Sequence, residues 1–115
     1  MAKGKKLTIY GVPPSPPANM VWMCLDIAGI KYETYEPNLL FKENKKAWYK
    51  EINPNGAVPA MRDEDGFCQN EGIAISRYLI ESRQAKTDIY PYADAAKVAK
   101  INEAIEFVCE DLREN

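Results

Sequence analysis

The chain has 115 residues, enough for one domain with its own core, and carries 15 basic and 17 acidic residues for a net charge of -2. This balance argues against nucleic acid or an anionic membrane as the main partner. The sequence contains no histidine, which excludes Ser-His and Cys-His catalytic pairs and most zinc sites, so no metal is expected. No apolar run reaches the length of a membrane-spanning helix, and we expect no membrane insertion.

The three cysteines, Cys24, Cys68 and Cys109, lie far apart in the sequence. Their spacing is not that of a metal site, and their number is odd. We therefore expect reduced thiols in an intracellular, cytoplasmic protein.

The first half of the chain predicts a strand, a helix and a second strand. Residues 6–10 form a short β-prone run that Gly11 and the following prolines break. Ser15 is predicted to cap a helix that ends at Gly29. Residues 31–36 then predict a strand parallel to the first, because a strand-helix-strand crossover is right-handed and returns in the same direction.

The second half predicts a short helix, a hairpin and a longer helix. Residues 38–51 are interpreted as a loop followed by a short helix. Residues 57–62 and 67–69 flank an Asp-Gly turn and predict a β-hairpin. Residues 73–82 predict a helix. The order β-α-β-α-β-β-α describes a thioredoxin-like α/β domain with a four-stranded mixed sheet.

One extra helix follows this domain. We assign residues 1–82 to the first domain, 83–93 to a linker and 94–115 to a final helical segment capped by Asp94. This helix carries a narrow apolar stripe at spacings of three and four, formed by Val98, Ile101, Ile105, Val108 and Leu112. The stripe packs either on its own domain or on a further domain or subunit, as in a homodimer or a larger assembly.

Three stretches carry a family resemblance in their order and spacing. They read YGVPPSPPANMVWMCLDIAG, NKKAWYKEINPNGAVPAM and NEGIAISRYL, and cover most of residues 7–80. Together they resemble the N-terminal, glutathione-binding domain of cytosolic glutathione transferases of the serine type, as in the phi, theta and delta classes. Residues 94–113 resemble the first helix of that family's second, all-helical domain. The resemblance implies a thioredoxin-like fold with glutathione as co-substrate.

The resemblance implies a catalytic role for Ser15. In the family this serine donates a hydrogen bond to the glutathione sulfur and favours the thiolate. The alternative is a helix cap alone, in which the Ser15 hydroxyl accepts from the Ala18 N–H. The two roles are compatible, since a hydroxyl both donates and accepts. Other classes use a tyrosine on the first strand, but we interpret Tyr10 as a packing residue.

The resemblance also implies a peptide-binding edge at Val58. In the thioredoxin superfamily the bond before Pro59 is cis, and the Val58 N–H and C=O would pair with glutathione as an added strand.

The two ends of glutathione imply charged partners. Glu71 and the helix start at Gly72 would hold the ammonium and carboxylate of the γ-glutamyl group. Gly72 departs from the family's serine or threonine. Lys45 would hold the glycine carboxylate, and Asn44 stands where the family has histidine. Lys45 and its neighbouring lysines are equally consistent with a solvated helix face.

Two functions follow from these features. The first is a glutathione S-transferase-like domain that binds glutathione and stabilises its thiolate for conjugation to electrophiles. The second is a non-catalytic scaffold subunit of a larger complex, favoured by Gly72, Asn44 and the apolar stripe. The family's helical domain supplies most of the electrophile pocket, so the sequence leaves open whether this chain is an enzyme.

Overall fold

The computed structural model describes residues 6–112, with side chains as far as Glu110. The chain divides into two compact units between Ala85 and Lys86. The first unit contains a β-sheet and three α-helices, and the second contains the final helix.

The sheet has four short strands: Thr8–Tyr10 (β1), Glu33–Tyr35 (β2), Ala60–Arg62 (β3) and Cys68–Asn70 (β4). Their spatial order is β2-β1-β3-β4, with β1 parallel to β2 and the other pairs antiparallel. The predicted four-stranded mixed sheet is therefore confirmed.

The helices are Pro16–Ala28 (α1), Ala47–Ile52 (α2), Gly72–Ser82 (α3) and Ala95–Glu106 (α4), with a 3-10 turn at Glu43–Lys45 and a π-helical segment at Phe107–Leu112. Helix α1 ends as predicted at Gly29. This residue adopts the left-handed conformation, with φ of 74°, and its N–H returns to carbonyls of the last turn. The predicted element order, including the additional helix, is confirmed.

Strand β3 is shorter than the sequence predicts. It begins at Ala60 rather than at residue 57. Pro59 lies immediately before it, and proline has no N–H to donate to a ladder hydrogen bond. Residues 57–59 therefore form a loop beside the sheet instead of part of it.

Each face of the sheet packs against its own helices. Side chains alternate along β1, so Ile9 and its strand partner Met61 face one side while Tyr10 and Ala60 face the other. The first face joins α1 and α3 in one core, formed by Leu7, Ile9, Val21, Leu25, Met61, Ile75 and Leu79. The second face packs on Tyr49 and Ile52 of α2. The sheet thus lies between α2 and the α1–α3 pair.

A partly buried ion pair joins the hairpin to the end of α3. Asp63 accepts hydrogen bonds at 2.6 and 2.8 Å from the Arg83 guanidinium and one at 3.2 Å from the Tyr78 hydroxyl. The Glu64 N–H donates a further one at 2.7 Å. The Asp63 carboxylate is almost fully buried but well supplied with donors, as a buried charge requires.

The second unit is built around α4. Asp94 caps this helix as predicted, accepting from the Lys97 N–H at 3.2 Å. Val98, Ile101 and Ile105 are partly exposed and Val108 is exposed, whereas the side chain of Leu112 lies outside the described residues. No helix within the described part of the chain has both the length and the apolar character needed to cross a membrane.

Candidate functional site

Ser15 lies at the N-terminus of α1, and its hydroxyl uses only its acceptor capacity in the described structure. Its Oγ accepts from the Ala18 N–H at 3.3 Å, the predicted capping contact. Pro16 and Pro17 have no N–H, which makes Ala18 the first donor of the helix. The Ser15 hydroxyl donates to no other residue in the described range. Its proton is therefore available to a ligand placed at the start of the helix.

The backbone around Ser15 is clamped by Asn19. The Asn19 side-chain amide donates to the carbonyl oxygens of Pro13 and Ser15, at 2.7 and 2.8 Å. This contact fixes the turn that leads into α1. The role of Asn19 was not predicted from the sequence. The only local indication of it is an asparagine one helical turn after the capping residue Ser15.

The loop before β3 carries the predicted cis bond, between Val58 and Pro59. Residue 58 belongs to no strand. Among the described residues, neither its N–H nor its C=O takes part in a hydrogen bond. Val58 thus presents an unpaired donor and acceptor immediately before a strand.

Side-chain hydrogen bonds hold this loop in place. The Ala57 carbonyl accepts from the Tyr49 hydroxyl at 2.6 Å and from the Asn53 amide at 2.9 Å. Asn53 is 1% exposed, and its oxygen accepts from the Asn55 N–H at 3.1 Å and the Asn70 amide at 2.9 Å. The loop is thereby tied both to α2 and to the end of β4. These supporting roles were not predicted from the sequence.

Asn44 and Lys45 lie beside the same loop. The Asn44 amide donates to the Gly56 carbonyl at 2.6 Å. The Lys45 ammonium lies 3.7 Å from where a Cβ on Gly56 would stand. Lys45 is exposed and forms no ion pair with any described residue. Asn44 therefore supports the loop, and Lys45 leaves a cation free next to it.

Glu71 and Gly72 open α3. Glu71 has φ of 71° and ψ of 113°, a strained conformation for a residue with a side chain. Its exposed carboxylate neither caps the helix nor forms an ion pair with a described residue. The strain and the free carboxylate together mark Glu71 as a candidate binding residue.

Gly72 is buried where the starts of α1 and α3 meet. A Cβ added to it would lie 2.9 Å from the Met20 terminal methyl and 3.4 Å from the Pro17 carbonyl oxygen. Met20 thus occupies the space that a serine or threonine side chain would need. Gly72 departs from the family pattern, and Met20 packs against it in the structure. The sequence alone did not reveal this contact.

Tyr10 lies on the opposite, α2-facing side of the sheet. It is buried, and its ring packs against Tyr35, Trp48 and Tyr49 at centroid distances of 5.7, 6.3 and 5.9 Å. Burial raises the pKa of its phenol above the ordinary value. These contacts support the interpretation of Tyr10 as a packing residue.

Contacts between segments link the predicted site residues. Gly72 abuts the first turn of α1, which Ser15 caps. Asn70, immediately before Glu71, bonds the loop that carries Val58. The described residues include no cluster of three His, Cys, Asp or Glu side chains suited to a metal ion.

A shallow cleft lies at the other end of the sheet. Its lining includes Leu7 before β1, Gly29 after α1, Glu33 of β2 and Arg83 after α3. None of the predicted site residues contributes to it. Polar side chains that line it are paired with one another, as in the hydrogen bond from the Tyr32 hydroxyl to Asp26 at 2.9 Å and the Lys6–Glu33 ion pair at 3.7 Å.

Residues 14–82 match the family model described as Glutathione S-transferase, N-terminal domain. Glutathione S-transferase 1 of Manduca sexta is 30% identical over 102 residues, which is 88% of this chain and 46% of the relative. The chain spans about half the length of the curated relatives it matches first.

Solved structures agree with this match. A delta-class glutathione transferase of Nilaparvata lugens superposes with a TM-score of 0.81 at 28% identity, covering 90% of this chain and 48% of that one. A glutathione transferase homologue of Drosophila mojavensis, solved with bound glutathione, gives 0.80 at 28% identity over 91% and 47%. The family model covers more than half of the chain, and the chain therefore belongs to the glutathione S-transferase family, of which residues 14–82 form the N-terminal domain.

Proposed function

We propose that this chain binds glutathione in an extended form and that Ser15 stabilises its thiolate. The observation that carries the proposal is the Ser15 hydroxyl, which caps α1 through its oxygen while its proton has no acceptor among the described residues. The glutathione held by the Drosophila mojavensis homologue supports the choice of ligand.

The free polar groups of the site match the groups of the tripeptide. The Val58 N–H and C=O pair with the ligand backbone as an added strand would. The N-terminal amides of α3 bind the γ-glutamyl carboxylate, and Glu71 binds the adjacent ammonium. The Lys45 ammonium binds the carboxylate at the glycine end.

Ser15 acts as a hydrogen-bond donor to sulfur rather than as a base. The thiol proton passes to water, and the hydroxyl together with the positive end of α1 stabilises the remaining thiolate. The thiolate sulfur then attacks a soft electrophilic carbon and forms the C–S bond. The electron pair displaced from that carbon leaves with the electrophile's leaving group or, for an activated alkene, moves onto the activating group, and water then supplies a proton. We place this chemistry in the cytoplasm, where glutathione and the chain's own three cysteines stay reduced.

Two substitutions at Ser15 separate the hydroxyl from the cap. Threonine and glycine are about equal as N-caps, but only threonine keeps a hydroxyl. We expect Ser15→Thr to keep the lowered pKa of bound glutathione and Ser15→Gly to return it towards the value in water. The pKa is read from the ultraviolet absorbance of the thiolate, and glutathione affinity from calorimetric titration.

The titration also tests binding itself. Saturable heat with the unmodified chain supports the site, and stability should rise by about 2.7 kcal/mol at a hundredfold excess over Kd. Absence of both heat and thermal shift in a folded chain contradicts glutathione binding. Equal thiol pKa values with Ser15→Thr and Ser15→Gly contradict the role of the hydroxyl.

A scaffold function is the second candidate, and two observations favour it. Gly72 lacks the family's hydroxyl, with Met20 packed in its place. Helix α4 and the π-helical segment after it also carry apolar side chains, which include the exposed Val108. In this proposal the apolar stripe of the final helical segment forms a homodimer or a larger assembly. A folded chain that fails to bind glutathione in the titration supports it.

A further inference from the structure

The most exposed apolar side chains of the first unit lie together at one tight turn. The Lys42 N–H donates to the Leu39 carbonyl at 3.0 Å, and the Phe41 N–H donates to the Asn38 side chain at 3.2 Å. Leu40 and Phe41 occupy the apex and are 85% and 74% exposed. We name residues 39–42 the apical turn. A leucine and a phenylalanine exposed to water at the apex of a turn have no folding role that accounts for them.

Lysines follow this apex along the chain. Between residues 38 and 50 the sequence carries four lysines and one acidic residue, a net charge of +3, and the exposed Glu36 and Glu51 flank this segment. The lysines, all exposed, are Lys42, Lys45, Lys46 and Lys50. Among the described residues, none of the four forms an ion pair. Lys45 is the proposed partner of glutathione, and the positive charges of Lys42, Lys46 and Lys50 are available to a second anion.

The one acidic residue between residues 38 and 50 has a structural role. Glu43 accepts from the Tyr35 hydroxyl at 2.5 Å and from the Asn38 N–H at 2.7 Å. These hydrogen bonds hold the pKa of the Glu43 carboxyl below its usual range. Glu43 thus braces the base of the apical turn.

We propose that the apical turn binds peripherally to the surface of an anionic lipid bilayer. Leu40 and Phe41 enter the boundary between headgroups and acyl chains, and Lys42, Lys46 and Lys50 remain at the level of the anionic headgroups. Side chains exposed at the apex of a tight turn enter a deformable lipid surface without needing a preformed groove. The charge complementarity is local, which is why the acidic overall composition argued against a membrane and did not reveal it.

Co-sedimentation with vesicles tests the proposal. We expect the chain to bind vesicles of phosphatidylcholine mixed with phosphatidylserine, and to bind pure phosphatidylcholine at least tenfold more weakly. Each neutralised lysine should weaken binding by about fivefold, as in Lys46→Gln and Lys50→Gln. Added salt should weaken it as well.

Matched substitutions distinguish binding through the apical turn from non-specific hydrophobic adsorption to the vesicles. Leu40→Ser with Phe41→Ser should reduce binding by roughly tenfold or more, because these side chains supply the apolar burial. Met23→Ser with Ile27→Ser is the control, since these residues of α1 are 61% and 63% exposed but lie outside the lysine-rich segment. Circular dichroism verifies the fold of both variants.

Three results would overturn the proposal. The first is equal binding to the two kinds of vesicle, or to neither. The second is an unchanged affinity in the Leu40 and Phe41 variant. The third is an equal loss in the Met23 and Ile27 control. Glutathione titration of the Leu40 and Phe41 variant is expected to be unchanged, because none of the proposed glutathione contacts involves these residues.

Discussion

Single residues in this chain carry strain that folding alone does not explain. Glu71 is held at φ of 71° although it has a side chain, and its carboxylate has no partner in the described structure. Such a conformation costs on the order of 1–3 kcal/mol and is typical of functional sites. The natural relief would be a glycine, which adopts positive φ without a Cβ clash.

We therefore predict opposite effects of Glu71→Gly on stability and on binding. The free energy of unfolding should rise by about 0.5–1 kcal/mol, because relief of strain exceeds the added flexibility of the unfolded chain. Glutathione affinity should fall by about tenfold, because a charge-assisted hydrogen bond to the ligand ammonium is lost. Urea denaturation and calorimetric titration measure the two effects. A fall in stability with unchanged affinity would show that Glu71 has only a structural role.

At the scale of elements, the loop before β3 depends on buried amides. Asn53 bonds the Ala57 carbonyl, the Asn55 N–H and the Asn70 amide, and so joins the end of α2 to the end of β4. No regular secondary structure holds residues 53–59 otherwise. The shape of the proposed peptide-binding edge at Val58 is therefore set by side chains.

We predict that Asn53→Ala costs about 2–3 kcal/mol of stability, because it leaves buried polar groups unpaired. It should also weaken glutathione binding by about tenfold, although Asn53 contacts no part of the proposed ligand. Asn55→Ala is the control within the same loop, since the Asn55 side chain is exposed and forms no hydrogen bond among the described residues. Its stability should change by less than about 0.5 kcal/mol. Urea denaturation and calorimetric titration of both variants measure the two effects. Equal losses of stability and affinity in Asn53→Ala and Asn55→Ala would contradict the bracing role of Asn53.

For the whole molecule, the free energy of unfolding depends on pH through groups that titrate well below and well above neutrality. The Arg83 guanidinium beside Asp63 holds the pKa of that carboxyl below its ordinary value. Burial raises the pKa of Tyr49 to about 12. No histidine is present in the sequence to titrate between these limits.

We predict a flat profile of unfolding free energy between about pH 5 and 8. A lowered carboxyl pKa stabilises the fold above the unfolded value of about 4, and that stability is lost as pH falls through the folded pKa. A raised phenol pKa stabilises the fold below about pH 10, and that stability is lost as pH rises towards 12. Urea denaturation across pH checks the profile, with Asp63→Asn and Tyr49→Phe expected to flatten the acid and alkaline arms. A step near pH 6.5 in the unmodified chain would contradict it.

Local sequence signals were sufficient for much of the fold. Gly11 and Gly29, the Asp-Gly turn, and the capping residues Ser15 and Asp94 each act within a few residues of the chain, and their strands, helices and caps are present. The strand boundaries were less accurate, as at β3, because ladder hydrogen bonds depend on a partner strand.

The sequence by itself determined the element order and the family, because motif spacing and helix caps act over short distances. It also supplied the candidate site residues, which stay a prediction. Only the tertiary structure decided how these residues are supported. The packing of Met20 on Gly72 spans more than fifty residues, and the Asn70–Asn53 hydrogen bond spans seventeen. The exposure of Leu40 and Phe41 likewise depends on the tertiary structure, because other apolar side chains fill the core. Contacts between distant segments depend on how the chain closes on itself, which no local pattern specifies.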